Sequence, residues 1–118
     1  MKQFNRETGR KGENEAALYL EKLGYEVFLR NFSTRFGEID LICRDNAEVV
    51  FVEVKTKKGR LFGSPEETFT RYKYEKVKRM AQVYLKGKEA ACRIDMVAVE
   101  LGEDDAVTGI RHYKNVVL

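Results

Sequence analysis

The sequence predicts one α/β domain with its elements in the order α-β-β-β-α-β-β. Three observations carry this. Two segments place apolar residues at helical spacing, and several others are short runs rich in β-branched and apolar residues. The two kinds do not alternate one for one, and no glycine-rich phosphate loop follows any strand, so a doubly wound nucleotide-binding fold is not expected. The length of 118 residues suits one modest core, and one proline with no low-complexity tract leaves no sign of a linker.

Glu7 to Leu23 reads as the first helix. Ala16, Ala17, Leu20 and Leu23 form its apolar stripe, and Gly24 is the expected stop. Tyr25 to Leu29 reads as a strand, followed by strands over Phe36 to Cys43 and Val49 to Thr56. Arg44 to Glu48, between the last two, is turn chemistry. Lys57 to Thr70 holds Gly59, Gly63, Ser64 and Pro65 and reads as a long loop. Tyr72 to Leu85 reads as the second helix, with the stripe Val77, Met80, Ala81, Tyr84 and Leu85 and with Gly87 beyond its end. Arg93 to Leu101 is the fourth strand, Gly102 to Asp105 a turn, and Val107 to Tyr113 the fifth strand.

No apolar run approaches the roughly 20 residues that span a bilayer, and the basic, polar N-terminus has no signal-peptide core, so no membrane partner is expected. Cys43 and Cys92 match neither zinc nor redox spacing; they read as small buried thiols in a reducing cytoplasm. His112 stands alone and supports no nucleophilic triad; it reads as a surface or strand histidine. Charge is uneven. Val54 to Lys88 holds eleven basic residues against three acidic ones, a surplus of eight. The remainder holds eleven against sixteen, a deficit of five. A basic zone beside an acidic remainder suits a polyanion, although lysines also serve simply as a solvated helix face.

The two central strands carry charges in apolar surroundings, in Gly37-Glu38-Ile39-Asp40-Leu41-Ile42 and Phe51-Val52-Glu53-Val54-Lys55-Thr56. Buried charge is costly unless paired. Joined by a short turn, these strands should form an antiparallel hairpin. A four-residue loop, Asp45 to Glu48, sets Asp40 opposite Glu53 and Glu38 opposite Lys55. A two-residue loop, Asp45-Asn46, sets Glu38 opposite Glu53. Any even loop leaves Glu38, Asp40, Glu53 and Lys55 on one face and Ile39, Leu41, Val50, Val52 and Val54 on the other as core. Opposed carboxylates repel, so a positive group is expected between them: Lys55 or a divalent cation. A solvent-exposed face with a Glu38–Lys55 salt bridge is the plainer reading of the same pattern. Glu13 and Lys73 extend the stripes of the two helices by one turn, so each could reach the sheet edge; a helix-dipole glutamate and a snorkelling lysine are the alternatives.

Asp40 followed on the next strand by Glu53-Val54-Lys55 resembles the PD-(D/E)xK nuclease motif. Together with Gly12-Glu13, Asn31, Gly37-Glu38, Lys73, Ala81, Tyr84-Leu85 and Arg93-Ile94-Asp95, it resembles the YraN family of small bacterial endonuclease-like proteins from about Gly9 to Val99. It is more distantly similar to archaeal Holliday junction resolvases. Two positions depart from the pattern: Ile39 replaces the motif proline, and Ile94 stands where an aromatic is usual.

The resemblance implies a restriction-endonuclease-like fold, a central mixed sheet flanked by helices, with Glu13, Asp40, Glu53 and Lys55 at catalytic positions. The expected activity is phosphodiester hydrolysis of DNA, including branched DNA, with Mg²⁺ or Mn²⁺. Asp40, Glu53 and the Val54 carbonyl would hold metal, with Glu13 at a second ion or a bound water. Lys55 would position the attacking water or offset charge on phosphorus. Lys57, Lys58, Arg60, Lys73, Lys76 and Arg79 would meet backbone phosphates; Phe62 and the loop around Gly59 to Pro65 would act as a mobile lid or a wedge against unstacked bases, an ordinary loop anchor being the plainer reading of Phe62. Action on two strands would favour a symmetric homodimer. A non-catalytic nucleic-acid-binding module of the same fold is the alternative.

Overall fold

The computed structural model describes residues 6–59 and 63–118. A first helix, α1 (Arg6–Lys22), precedes three strands: β1 (Glu26–Thr34), β2 (Gly37–Asp45) and β3 (Glu48–Lys58). A short 3₁₀ turn at Pro65–Thr68 and the second helix, α2 (Arg71–Leu85), lead to β4 (Cys92–Leu101) and β5 (Val107–Tyr113). The expected order α-β-β-β-α-β-β is the observed one. The five strands form one mixed sheet in sequence order, with β3 and β4 parallel and every other pair antiparallel. A parallel neighbour needs a crossover, and α2 supplies it.

The helices cover opposite faces. Ala16, Ala17 and Leu20 of α1 pack on Leu41, Val50, Val52, Val97 and Val99. Tyr74, Val77, Met80 and Ala81 of α2 pack on Ile42, Phe51, Met96 and Ala98. Both faces of β3 and β4 are therefore buried, which explains their near-continuous apolar character.

Leu23 is not core: α1 stops at Lys22, and Leu23 is 55% exposed. Gly24 turns the chain at φ 99°, and the Tyr25 amide donates back to the Leu20 carbonyl, so Tyr25 takes the buried place. β1 runs to Thr34, well past the expected Leu29. It is an edge strand with a largely exposed surface, so its polar residues Arg30, Asn31 and Ser33 do not end it. Cys43 is buried as expected, but Cys92 at the start of β4 is exposed. The loop after β3 contains the 3₁₀ turn, whose Glu66 accepts hydrogen bonds from Arg111 and Tyr113 of β5. Among the described residues no helix is long and apolar enough to cross a membrane.

Candidate functional site

The hairpin register is the one that sets Asp45 against Glu48, Arg44 against Val49 and Ile42 against Phe51. Only Asn46 and Ala47 remain as the turn, and Asn46 takes the left-handed conformation, φ 57°, that such tight turns require. Backbone pairing between β2 and β3 ends at Leu41 opposite Val52. Below that point β2 stays with β1, down to Gly37 opposite Thr34, while β3 stays with β4, down to Lys58 opposite Leu101. The sheet forks there. The first side chain in the fork is Asp40, whose Oδ2 accepts the Val54 amide at 2.7 Å. A carboxylate thus takes a donor that would otherwise continue the ladder. The fork also corrects the expected core face: Ile39 packs with the α2-side cluster, not beside Leu41 and Val52.

A cleft of about 500 Å³ opens at this fork. Asp40, Glu53, Val54 and Lys55 line it, with Glu13 arriving from α1 and Lys73 from α2. Alternation from Phe51 puts Glu53 and Lys55 on the α2 side, whereas Glu13 comes from the α1 side; the gap between strands lets all of them share one space. Close approach of α1 depends on Gly12. A Cβ there would lie 1.9 Å from Thr56 Oγ1 on β3, so only glycine seats Glu13 at this depth. Asn31, at φ 56°, donates from Nδ2 to Glu13 Oε1 at 3.1 Å and fixes that carboxylate from β1.

The electrostatics are those of an undercompensated acidic centre. Burial, and then the Glu53 charge, push the Asp40 carboxyl well above the usual range, against the pull of the Val54 amide. Burial also raises Glu53, although Lys55 Nζ sits 3.0 Å from its Oε2. Lys73 is pushed down, first by the Lys55 ammonium and then by burial. Two carboxyls reluctant to ionise face two crowded lysines.

Among the described residues no three Asp, Glu, His or Cys side chains stand close enough to form a ready-made metal cage. Mg²⁺ ordinarily needs no such cage: one or two carboxylates, waters and substrate phosphate suffice. Asp40, Glu53 and the Val54 carbonyl are hard oxygen donors in one cleft, and both carboxyls are raised where a positive neighbour would lower them. The residues present fit Mg²⁺ or Mn²⁺.

The other expected residues divide. Glu38, Lys57 and Lys58 line the cleft. Lys76 borders it from α2, beside Glu38, Glu53, Lys55 and Lys73. Arg79 is exposed on α2 and lines no pocket at the fork. Arg60 and Phe62 lie outside the described residues.

One buried polar centre was not anticipated. Asp95 on β4 is fully buried and accepts from Arg93 Nε at 2.9 Å and from the Asn115 amide at 3.0 Å, with His112 Nε2 at 2.8 Å. Arg93 also bridges Asp45 and Glu48 across the hairpin end, and its guanidinium lies over the Tyr25 ring. Burial pushes the Tyr25 hydroxyl up to about 12. The register sets Arg93 and Asp95 beside Val50 and Val52, on the α1 face and away from Glu53 and Lys55. Arg-x-Asp inside an apolar strand was the available signal, the same spacing as Glu53 and Lys55 one strand away.

Fold and site together define a class: small α/β proteins whose mixed sheet forks around two carboxylates and a lysine. The profile of the uncharacterised protein family UPF0102 matches residues 12–99, and the chain belongs to that family. A UPF0102 protein of Syntrophomonas wolfei is 44% identical over 113 residues, 95% of this chain and 98% of its own length. One from Symbiobacterium thermophilum is 46% identical over 104 residues, 86% of this chain and 88% of its own. One from Geotalea daltonii is 39% identical over 117 residues, 97% of this chain and 91% of its own.

Proposed function

We propose that the protein is a Mg²⁺- or Mn²⁺-dependent nuclease of PD-(D/E)xK type, with a restriction-endonuclease-like fold, that hydrolyses phosphodiester bonds of DNA, including branched DNA. The observation that carries this reading is the fork, which gathers Asp40, Glu53 and Lys55 from two strands and Glu13 and Lys73 from two helices around one cleft. A solvated salt-bridge face would neither bury these carboxylates nor raise them.

Asp40, Glu53 and the Val54 carbonyl would hold the metal, which when bound supplies Lewis acidity at the phosphate and a more acidic water. Lys55, tethered to Glu53, presents a fixed positive charge where charge builds on the phosphoryl oxygens. Lys73 adds a second one from α2. Glu13, anchored by Asn31, is placed to accept a proton or to orient water. Lys57, Lys58 and Lys76 neutralise flanking phosphates without reading sequence. A cytoplasmic protein acting on duplex or branched DNA would work as a symmetric dimer, one cleft per strand.

The test is cleavage of linear and four-way-junction DNA with Mg²⁺ or Mn²⁺ by the wild-type chain, Asp40→Ala and Lys55→Ala. Cleavage should fall by a factor on the order of 10² or more in each variant. Activity that is absent from the wild type, or that survives both substitutions, rules the nuclease out. Binding without cleavage leaves a nucleic-acid-binding module of the same fold.

A further inference from the structure

We propose that a second phosphate-binding pocket, formed by Arg6, Arg10 and Arg30, lies beyond Glu13, and that the nucleic-acid strand crossing the carboxylates continues into it. This rests on the nuclease reading and extends it to how much substrate the protein grips.

A groove of about 570 Å³ runs between the first turns of α1 and the middle of β1. Helical spacing builds its wall. Arg6, Arg10 and Asn14 follow one another four residues apart and form one row, while Gly9 and Glu13 form the adjacent row toward the fork. Arg30 of β1 faces the first row, and its Nη2 donates to Asn14 Oδ1 at 2.6 Å. That bond aims the guanidinium without consuming its charge, because its partner is neutral.

The three arginines differ from the arginines that hold the fold together. Arg93 is saturated by Asp45, Glu48 and Asp95, and Arg111 by Glu66 and Glu100. Among the described residues, Arg6, Arg10 and Arg30 make no salt bridge, although Glu13 and Glu38 border the same groove. Gathering three guanidiniums around one groove with no bound carboxylate is unfavourable in the free protein and favourable once an anion arrives. Planar guanidinium forks match phosphate oxygens two at a time.

Continuity selects a polymer over a single anion. Gly9, Glu13 and Glu38 line both this groove and the carboxylate cleft, so the two adjoin along one face. Lys57, Lys58 and Lys73 line the cleft but not the groove, and the arginines the groove but not the cleft. A phosphodiester strand laid through both has its reacting phosphate in the interior, with phosphates held on either side. Such a site cuts within a strand and not from an end.

The experiment is fluorescence-anisotropy binding of labelled duplex and single-stranded DNA in EDTA, across a KCl series. It compares wild type, Arg10→Gln/Arg30→Gln, Arg6→Gln/Arg10→Gln, Lys57→Gln/Lys58→Gln and the control Arg44→Gln at the opposite end of β2. All the arginines changed are exposed, and thermal melts verify folding. Each groove double variant should bind about 10-fold more weakly. For every phosphate that is no longer neutralised, its slope of log K against log[KCl] should be shallower by roughly 0.9 on duplex and 0.7 on single strands. The control should match wild type. If both groove variants keep wild-type affinity and slope while Lys57→Gln/Lys58→Gln loses them, the groove proposal is wrong and the nuclease reading stands. If wild type binds no nucleic acid and cleaves none, both fall together.

Discussion

Asp40 and Asp95 sit in the same sheet with opposite electrostatic fates. Burial would push Asp95 up, but His112, Arg93 and the Asn115 amide outweigh it and hold the carboxyl below its usual value. Its contribution to stability is present above the unfolded value near 3.8 and is lost as pH falls through the lower folded value. Asp40 is raised, so its ionisation opposes folding. That penalty is absent in acid, grows as pH rises past the unfolded value and is complete only above the folded one. Asparagine can still accept the Val54 amide at position 40 while removing the charge. Asp40→Asn should therefore stabilise the metal-free protein at neutral pH by roughly 0.5–2 kcal/mol, with the gain vanishing below about pH 4. Asp95→Asn should cost about 3 kcal/mol at neutral pH, because Arg93 and His112 lose a fully buried partner. Thermal melts in EDTA across pH check both signs. Equal destabilisation by the two substitutions would show that Asp40 is structural. The sequence offers both aspartates as charged residues inside apolar strands; only the partners around them, drawn from β5 and the C-terminal residues in one case and from the fork in the other, separate their roles.

At the scale of elements, the site depends on α1 lying against β3. Gly12→Ala would drive a Cβ into Thr56, whose Oγ1, Cβ and Cγ2 are all within 2.8 Å of the position it would occupy. A β-branched side chain in a strand cannot swing clear, so the helix must back away and carry Glu13 with it. The expected cost is about 1–3 kcal/mol, with cleavage falling further than stability alone explains. Thr56→Ala in the same chain should recover part of both losses, as a double-mutant cycle in urea melts and cleavage rates would reveal. Additive losses would mean that Gly12 and Thr56 do not press on each other. Most elements were legible because their periodicity is strong: α2 begins at Arg71 against an expected Tyr72, and β5 has the expected bounds. The end of β1 was not, because an edge strand need not alternate cleanly. Nor was the fork. Hairpin parity placed Asp40, Glu53 and Lys55 in one neighbourhood, but the sequence carries no mark of where backbone pairing stops.

Across the whole molecule the question is which charges are free to meet a polyanion. The basic surplus between Val54 and Lys88 is visible in composition, yet composition cannot say which lysines are already engaged. The β4–β5 turn, Gly102 to Asp105, is acidic and folds against the end of β3, where Asp105 Oδ1 lies 2.9 Å from Lys58 Nζ. That bond, with the Asp105 charge behind it, raises the Lys58 ammonium above its usual value. Lys58 also lines the cleft, so a phosphate arriving there must compete with the protein's own carboxylate. Asp105 has φ 69°, a left-handed conformation that asparagine tolerates as well as aspartate does, so Asp105→Asn removes the competitor without straining the turn. The variant should bind DNA several-fold more tightly than wild type at low salt. Its salt slope should be steeper by up to about 0.9, the equivalent of one further phosphate neutralised on duplex. Lys58→Gln should abolish that gain in the double variant, since the liberated charge is then gone. Tighter binding that persists in Asp105→Asn/Lys58→Gln would trace the effect to net charge alone. Unchanged binding in Asp105→Asn would place the phosphate path elsewhere than Lys58.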